Sequence, residues 1–131
     1  MRIARDLYDE IVAHAAAEAP NECCGIVSLD GDDAVRVYRT TNTEASPFRF
    51  VVDPAEQYRV YKEIMDADLD LGAIYHSHTR SAPEPSQTDI NFAKEWPGVL
   101  WIIVGLADGA PEVRTWRIDG AEVSEAELVV Q

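Results

Sequence analysis

Of the three histidines in the chain, His76 and His78 stand two residues apart. On an extended strand that spacing projects both imidazoles from one face, where a single ion can receive both. They follow the apolar run Leu71 to Tyr75 and precede a polar loop containing Pro83 and Pro85. Histidines at a strand end are often plain surface residues, but two of only three sharing a face favours ligands. A catalytic zinc site takes three protein ligands and leaves the fourth position to water. His14 falls within the first helix, where it is expected to face solvent, so a carboxylate is the natural third ligand. Asp89 lies a short loop and one helical turn beyond His78. Ser86, three residues earlier, can face the site with it from the helix start. Ser-x-x-Asp before an apolar stretch is equally a capping pattern, and both readings can hold, since a helix N-terminus also stabilises a nearby anion. Hydrolysis further needs a group that takes a proton from water and returns it to the leaving group. Glu22 stands out because it opens a buried strand directly after the Pro20-Asn21 break, although a solvated strand-edge carboxylate is the commoner fate of a glutamate.

The surrounding elements must bring these groups together. Residues 4–18 read as an amphipathic helix with Leu7, Ile11 and Val12 on one face beside Ala15. Cys23 to Leu29 reads as a mostly buried strand, Asp30 to Asp33 as a turn, and Ala34 to Arg39 as the hairpin partner. Residues 48–52 predict another short strand, ended by Asp53-Pro54. Residues 54–68 predict a second helix, with Tyr58, Tyr61 and Met65 spaced for one face. Leu71 to Tyr75 suits a central strand running into His76-Ser77-His78. A helix from about Ser86 to Glu95 follows, then core strand Val99 to Leu106 and alternating strand Val113 to Ile118. Asp119-Gly120 turns the chain toward a last strand near Leu128 to Val130. This order predicts an α/β fold, a mixed β-sheet flanked by helices, in one domain spanning residues 1–131.

A chain of 131 residues has the size of one domain and can bury a core without disulfides or a structural metal. A bound metal would therefore serve function. The net charge is −13, and no Lys/Arg-rich run appears, which argues against nucleic acid or an anionic membrane as partner. The acidity reads first as a solvated surface, and second as attraction to a basic partner. Cys23 and Cys24 are adjacent and have no second pair, so no disulfide framework is expected and buried packing is their simplest role. The first residues lack a secretory apolar core, and no run reaches transmembrane length, which predicts a cytoplasmic protein.

The whole constellation resembles the JAMM (MPN-plus) metalloproteases. Their pattern is a glutamate just before a Cys-Gly-containing strand, then His-x-His, seven residues, Ser, two residues and Asp. Here it reads Glu22-Cys23-Cys24-Gly25, His76-Ser77-His78, Ser86 and Asp89, with the spacing kept throughout. The likeness extends over the leading helix, Phe50 to Pro54 and the following helix, nearly the whole chain. It implies a fold like that of cytidine deaminases, with zinc (Zn2+) held by His76, His78 and Asp89. It also implies Glu22 as general base and then acid, and Ser86 as hydrogen-bond donor to the oxyanion. The family cleaves peptide or isopeptide bonds after the C-terminal glycines of ubiquitin-like proteins. The short chain and its Thr79 to Asp89 segment look like a bacterial branch that releases cysteine from a small ubiquitin-like sulfur-carrier protein in cysteine biosynthesis. The Gly-Gly tail of such a carrier would pair along a strand edge. Arg49 and Arg80 are candidates to hold a terminal carboxylate, or are simply surface ion pairs. Homo-oligomerisation is left open.

Three alternatives compete. Two histidines and a carboxylate also suit a non-haem iron or cupin site, but the spacing matches neither. A module that binds a ubiquitin-like tail without cutting it would tolerate loss of Glu22. A peptidase that trims precursor or conjugated ubiquitin-like proteins would share the same chemistry.

Overall fold

A computed structural model describes residues 1–131. Its elements are β1 (Arg2–Ile3), α1 (Arg5–Glu18), β2 (Cys24–Asp30), β3 (Asp33–Thr40), α2 (Pro54–Asp66), β4 (Asp70–His78), α3 (Gln87–Ala93), β5 (Leu100–Gly105), β6 (Glu112–Asp119), β7 (Glu122–Ala126) and β8 (Val129–Val130). All strands join one sheet in the order β7-β6-β5-β4-β2-β3-β1-β8. The β4–β5 pair is parallel, and so are both pairings of β1, while the remaining pairs are antiparallel. The expected mixed sheet flanked by helices is therefore what forms.

The central strands β2, β4 and β5 are buried along most of their length, because helices cover both faces. On one face Ile11 and Ala15 of α1 pack against Val27, Ala73, Tyr75, Ile102 and Val104. On the other, Phe50, Val52 and Ala93 lie over Ile74, Trp101, Ile103 and Trp116, while Val60 and Ile64 of α2 cover Ile26.

The sheet is also strongly curved. β7 and β8 stand at its opposite margins, yet only Glu127 and Leu128 connect them. The three Cα steps from Ala126 to Val129 reach about 11 Å at most. The margins must therefore approach each other. Val130 of β8 and Ala126 of β7 pack on the same core as α1, which places that helix on the concave side.

Several expectations need correction. His14 is not solvent-exposed but only 4% accessible. It shares the buried stripe of Ile11 and Ala15, and its Nδ1 meets the Tyr75 hydroxyl at 2.6 Å, which satisfies the ring inside the core. Residues 48–52 do not form a strand. Only an Asn42–Val52 bridge is made, and the Asn42 side chain takes over ladder bonds by accepting from the Val51 N–H and donating to the Arg49 carbonyl. Tyr58, Tyr61 and Met65 do share one face of α2, as expected; it is the exposed face, and Val60 and Ile64 are the buried pair. β1 and β7 carry no strand signal in the sequence: one is two residues long, and the other is polar and exposed almost throughout.

Candidate active site

β4 delivers His76 and His78 to the face of the sheet that carries Ile74, beneath α3. The antiparallel ladder sets Cys24 opposite His76. It continues past the end of β2, where the Ser77 N–H donates to the Cys23 carbonyl at 3.3 Å and the Cys23 N–H donates to Ser77 Oγ at 2.8 Å. Opposed residues share a face, so this extension brings Glu22 beside His78. The backbone of Glu22 is held from the other side, its N–H donating to the Ser46 carbonyl at 2.8 Å and its carbonyl accepting from Asn42 Nδ2 at 3.0 Å. Asp89 arrives from the first turn of α3. Ser86 caps that helix reciprocally: its hydroxyl accepts from the Asp89 N–H at 3.1 Å, and its own N–H donates to Asp89 Oδ2 at 3.0 Å. The capping reading of this pair thus holds, and it leaves Oδ2 facing the histidines.

The three donor atoms form a nearly equilateral triangle. His76 Nε2 and His78 Nε2 are 3.2 Å apart, and Asp89 Oδ2 lies 3.1 Å from the first and 3.0 Å from the second. Tetrahedral coordination with bonds of about 2.0–2.1 Å needs donor separations of about 3.3–3.4 Å, so a slight expansion of this triangle accepts a zinc-sized ion. All three residues are buried. The His78 Nδ1–H donates to the Ala82 carbonyl at 2.9 Å, which leaves the Nε2 lone pair for a metal. His76 Nδ1 has no hydrogen-bond partner, and its ring is oriented by stacking on Phe50, with centroids 4.6 Å apart, and by the edge of Trp101.

Electrostatics agree with a cation site. Burial alone would raise the Asp89 carboxyl, but His76, hydrogen bonds from both histidines and the Ser86 N–H together hold it well below the usual carboxylate range. Burial disfavours charge on His78, yet Asp89 and the Ala82 carbonyl outweigh it and raise the imidazole above its ordinary value. Glu22 behaves oppositely. It is 5% accessible, its Oε1 has no hydrogen-bond partner, and burial pushes its carboxyl up to about 7. A carboxyl balanced near neutrality can both accept and return a proton.

Some supporting residues carry no sequence signal. Phe50 looks like strand packing until its ring is seen against His76. The loop offering the Ala82 carbonyl is held by the Trp116 Nε1–H, which donates to the Pro83 carbonyl at 2.9 Å, and by an Arg114–Glu84 ion pair. Arg49 pairs with Glu44 at 3.6 Å, whereas the Arg80 guanidinium lies over the Phe48 ring. Both cysteines are buried and unpaired, and burial pushes Cys23 up to about 12 and Cys24 up to about 11, so neither is a thiolate.

A curved mixed sheet presents two histidines, an aspartate and an adjacent glutamate, a donor set suited to a catalytic metal site, and residues 4–119 match the family of prokaryotic homologues of the JAB domain, to which this chain belongs. The chain is 38% identical over 133 residues to the CysO-cysteine peptidase of Mycobacterium tuberculosis, covering 98% of this chain and 90% of that one. It is 32% identical over 138 residues to the desampylase of Haloferax volcanii, covering 100% and 96%. Among solved structures, a protein of Desulfitobacterium hafniense superposes with a TM-score of 0.84 at 31% identity, covering 100% of this chain and 93% of that one. The protein is thus a hydrolase of this family.

Proposed function

We propose that this enzyme is a zinc-dependent peptidase that cleaves the amide bond after the C-terminal glycine of a small ubiquitin-like sulfur-carrier protein and releases cysteine for cysteine biosynthesis. The observation that carries the chemistry is the donor triangle of His76, His78 and Asp89 with a proton-balanced Glu22 in register beside it. The bond is suggested by the peptidase relative, which is named for a CysO–cysteine link and aligns over nearly the full length of both chains. The two unpaired cysteines fit a reducing cytoplasm.

His76, His78 and Asp89 would hold the ion, which when bound supplies Lewis acidity to the scissile carbonyl and to water. Glu22 takes the proton from the attacking water on its carboxylate and passes it to the departing amine. The buried setting of Glu22 brings its affinity for a proton close to what both steps need. The Ser86 hydroxyl keeps its hydrogen free for the oxyanion, since it only accepts from the Asp89 N–H.

The test is to incubate zinc-loaded protein with a carrier ending in Gly-Gly-Cys and to follow the carrier's intact mass. Loss of one cysteine residue is expected, abolished by a chelator and slowed about 10²- to 10⁴-fold by Glu22→Ala. An unchanged mass would sink the cysteine-releasing role. The desampylase relative favours a second reading, cleavage of ubiquitin-like conjugates, and a conjugate tested in parallel separates the two.

A further inference from the structure

We propose that Arg80 forms a carboxylate-binding subsite that reads the free C-terminus of the single residue lying beyond the carrier's last glycine; this rests on the substrate reading above. Two loops flank the site. One, between β3 and α2, is tied to Glu22, whose N–H donates to the Ser46 carbonyl at 2.8 Å. The other leaves His78 and is tied back to it through the Ala82 carbonyl, while the Thr79 hydroxyl donates to the Pro20 carbonyl at 3.0 Å. The loops meet where the Arg80 guanidinium sits 5.3 Å from the centroid of the Phe48 ring. A cation therefore lies where the loop tied to Glu22 meets the loop that leaves His78. Two Cα steps separate Arg80 from His78, about 7.6 Å at most.

Charge makes this position informative. In a chain of net charge −13 carboxylate partners are abundant, and Arg49 and Arg114 take them. Arg80, like Arg5, forms no ion pair and rests on an aromatic face instead, and of the two it is the one on the loop leaving His78. Phe48 is 69% accessible, so its ring contributes little to the core and is available as a platform. A guanidinium stacked on a ring keeps its edge N–H groups for a planar, bidentate acceptor, and a carboxylate fits that geometry. Hydrolysis that releases one amino acid places an α-carboxylate just beyond the scissile bond. A conjugated or extended substrate has an amide or a chain at the same point. Arg80 therefore favours removal of one terminal residue over cleavage of longer extensions. Of the two arginines singled out in the sequence, Arg49 is engaged by Glu44 and Arg80 is not.

Binding and cleavage are measured separately. Zinc-loaded Glu22→Gln protein is titrated calorimetrically with a carrier-tail peptide ending in Gly-Gly-Ala, as free acid and as C-terminal amide. Alanine replaces cysteine so that no thiol reaches the metal. The acid is expected to bind about 10- to 100-fold tighter than the amide. Adding Arg80→Ala should abolish that ratio, with amide affinity and zinc stoichiometry unchanged, and Phe48→Ala should reduce it. Equal binding of acid and amide, or no binding of either, overturns the subsite. So does an acid preference that survives Arg80→Ala, which would assign the carboxylate to the metal. The protein with Glu22 intact is assayed alongside on the carrier ending in Gly-Gly-Cys. If the Arg80-dependent acid preference is present but that carrier is not cleaved, the subsite stands and the cysteine-releasing reading falls.

Discussion

His76 and His78 are oriented by different means, and the difference has consequences that can be measured. A backbone hydrogen bond from Nδ1 to the Ala82 carbonyl fixes His78, whereas His76 relies on stacking against Phe50. Phe50→Ala is therefore expected to weaken zinc affinity about 10- to 100-fold, by competition with a chromophoric chelator, since supporting residues of metal ligands typically contribute on that scale. An unchanged affinity would show that burial alone orients His76. Glu22 makes a further prediction through pH. Burial raises its carboxyl from the ordinary value of 4.5 to about 7 in the metal-free fold. Across that window the folded state holds a proton that the unfolded state has released, so stability falls as pH rises and the penalty is complete above 7. Glu22→Gln removes the penalty. In urea melts of metal-free protein the variant should gain on the order of 1–2 kcal/mol over wild type at pH 8, allowing for solvent at the site, and almost nothing at pH 4.5. An equal difference at both pH values would contradict the burial argument.

At the level of elements, the β2–β4 pair is the part on which the site depends. Gly25 stands opposite Tyr75, and a Cβ at Gly25 would fall on the Tyr75 ring. The absence of a side chain lets Tyr75 lie flat across β2 and reach His14 of α1. Gly25→Ala should force the ring away and break that buried contact, lowering stability by about 2–4 kcal/mol in denaturant melts. A loss below about 0.5 kcal/mol would mean that the strands can separate slightly without penalty. The same pair carries Ser77, whose Oγ accepts from the Cys23 N–H and extends the ladder to Glu22. α3 contributes differently, since its seven residues depend on the Ser86–Asp89 cap, and that cap also aims the Asp89 carboxylate at the two histidines.

For the whole molecule, the curled sheet separates stability from chemistry by face. α1 fills the concave side, and His76, His78 and Asp89 lie on the opposite side under α3. Ile11 is 2% accessible in the middle of the concave core. Ile11→Ala should lower stability by about 2–4 kcal/mol while zinc stoichiometry, measured on the folded protein, stays unchanged. Loss of metal together with stability would show that the two faces are coupled through β4. β7 itself is mostly exposed, and the apolar contacts at the closure come from Ala126, Leu128 and Val130, which pack against the α1 core. The closure brings the two sheet margins together around α1.

The sequence by itself determined the local features: the alternation that put His76 and His78 on one strand face, the Ser86–Asp89 cap, the central apolar strands and the break before Glu22. Each depends on contacts within a few residues, where periodicity and capping rules act directly. Long-range pairing decided the rest. Glu22 and His78 are 56 positions apart in the chain, and only the extended β2–β4 register makes them neighbours. Tyr58, Tyr61 and Met65 have helical spacing and share one face of α2, but spacing does not say which stripe meets a sheet, and this one faces solvent. Helical periodicity alone leaves His14 to solvent, because its partner, the Tyr75 hydroxyl, lies on a strand that the local pattern does not connect to α1. β7 carries too few apolar residues to announce itself and forms because β6 offers it a free edge. A chain's local pattern sets which residues are able to act, and backbone pairing across the sheet sets which of them meet.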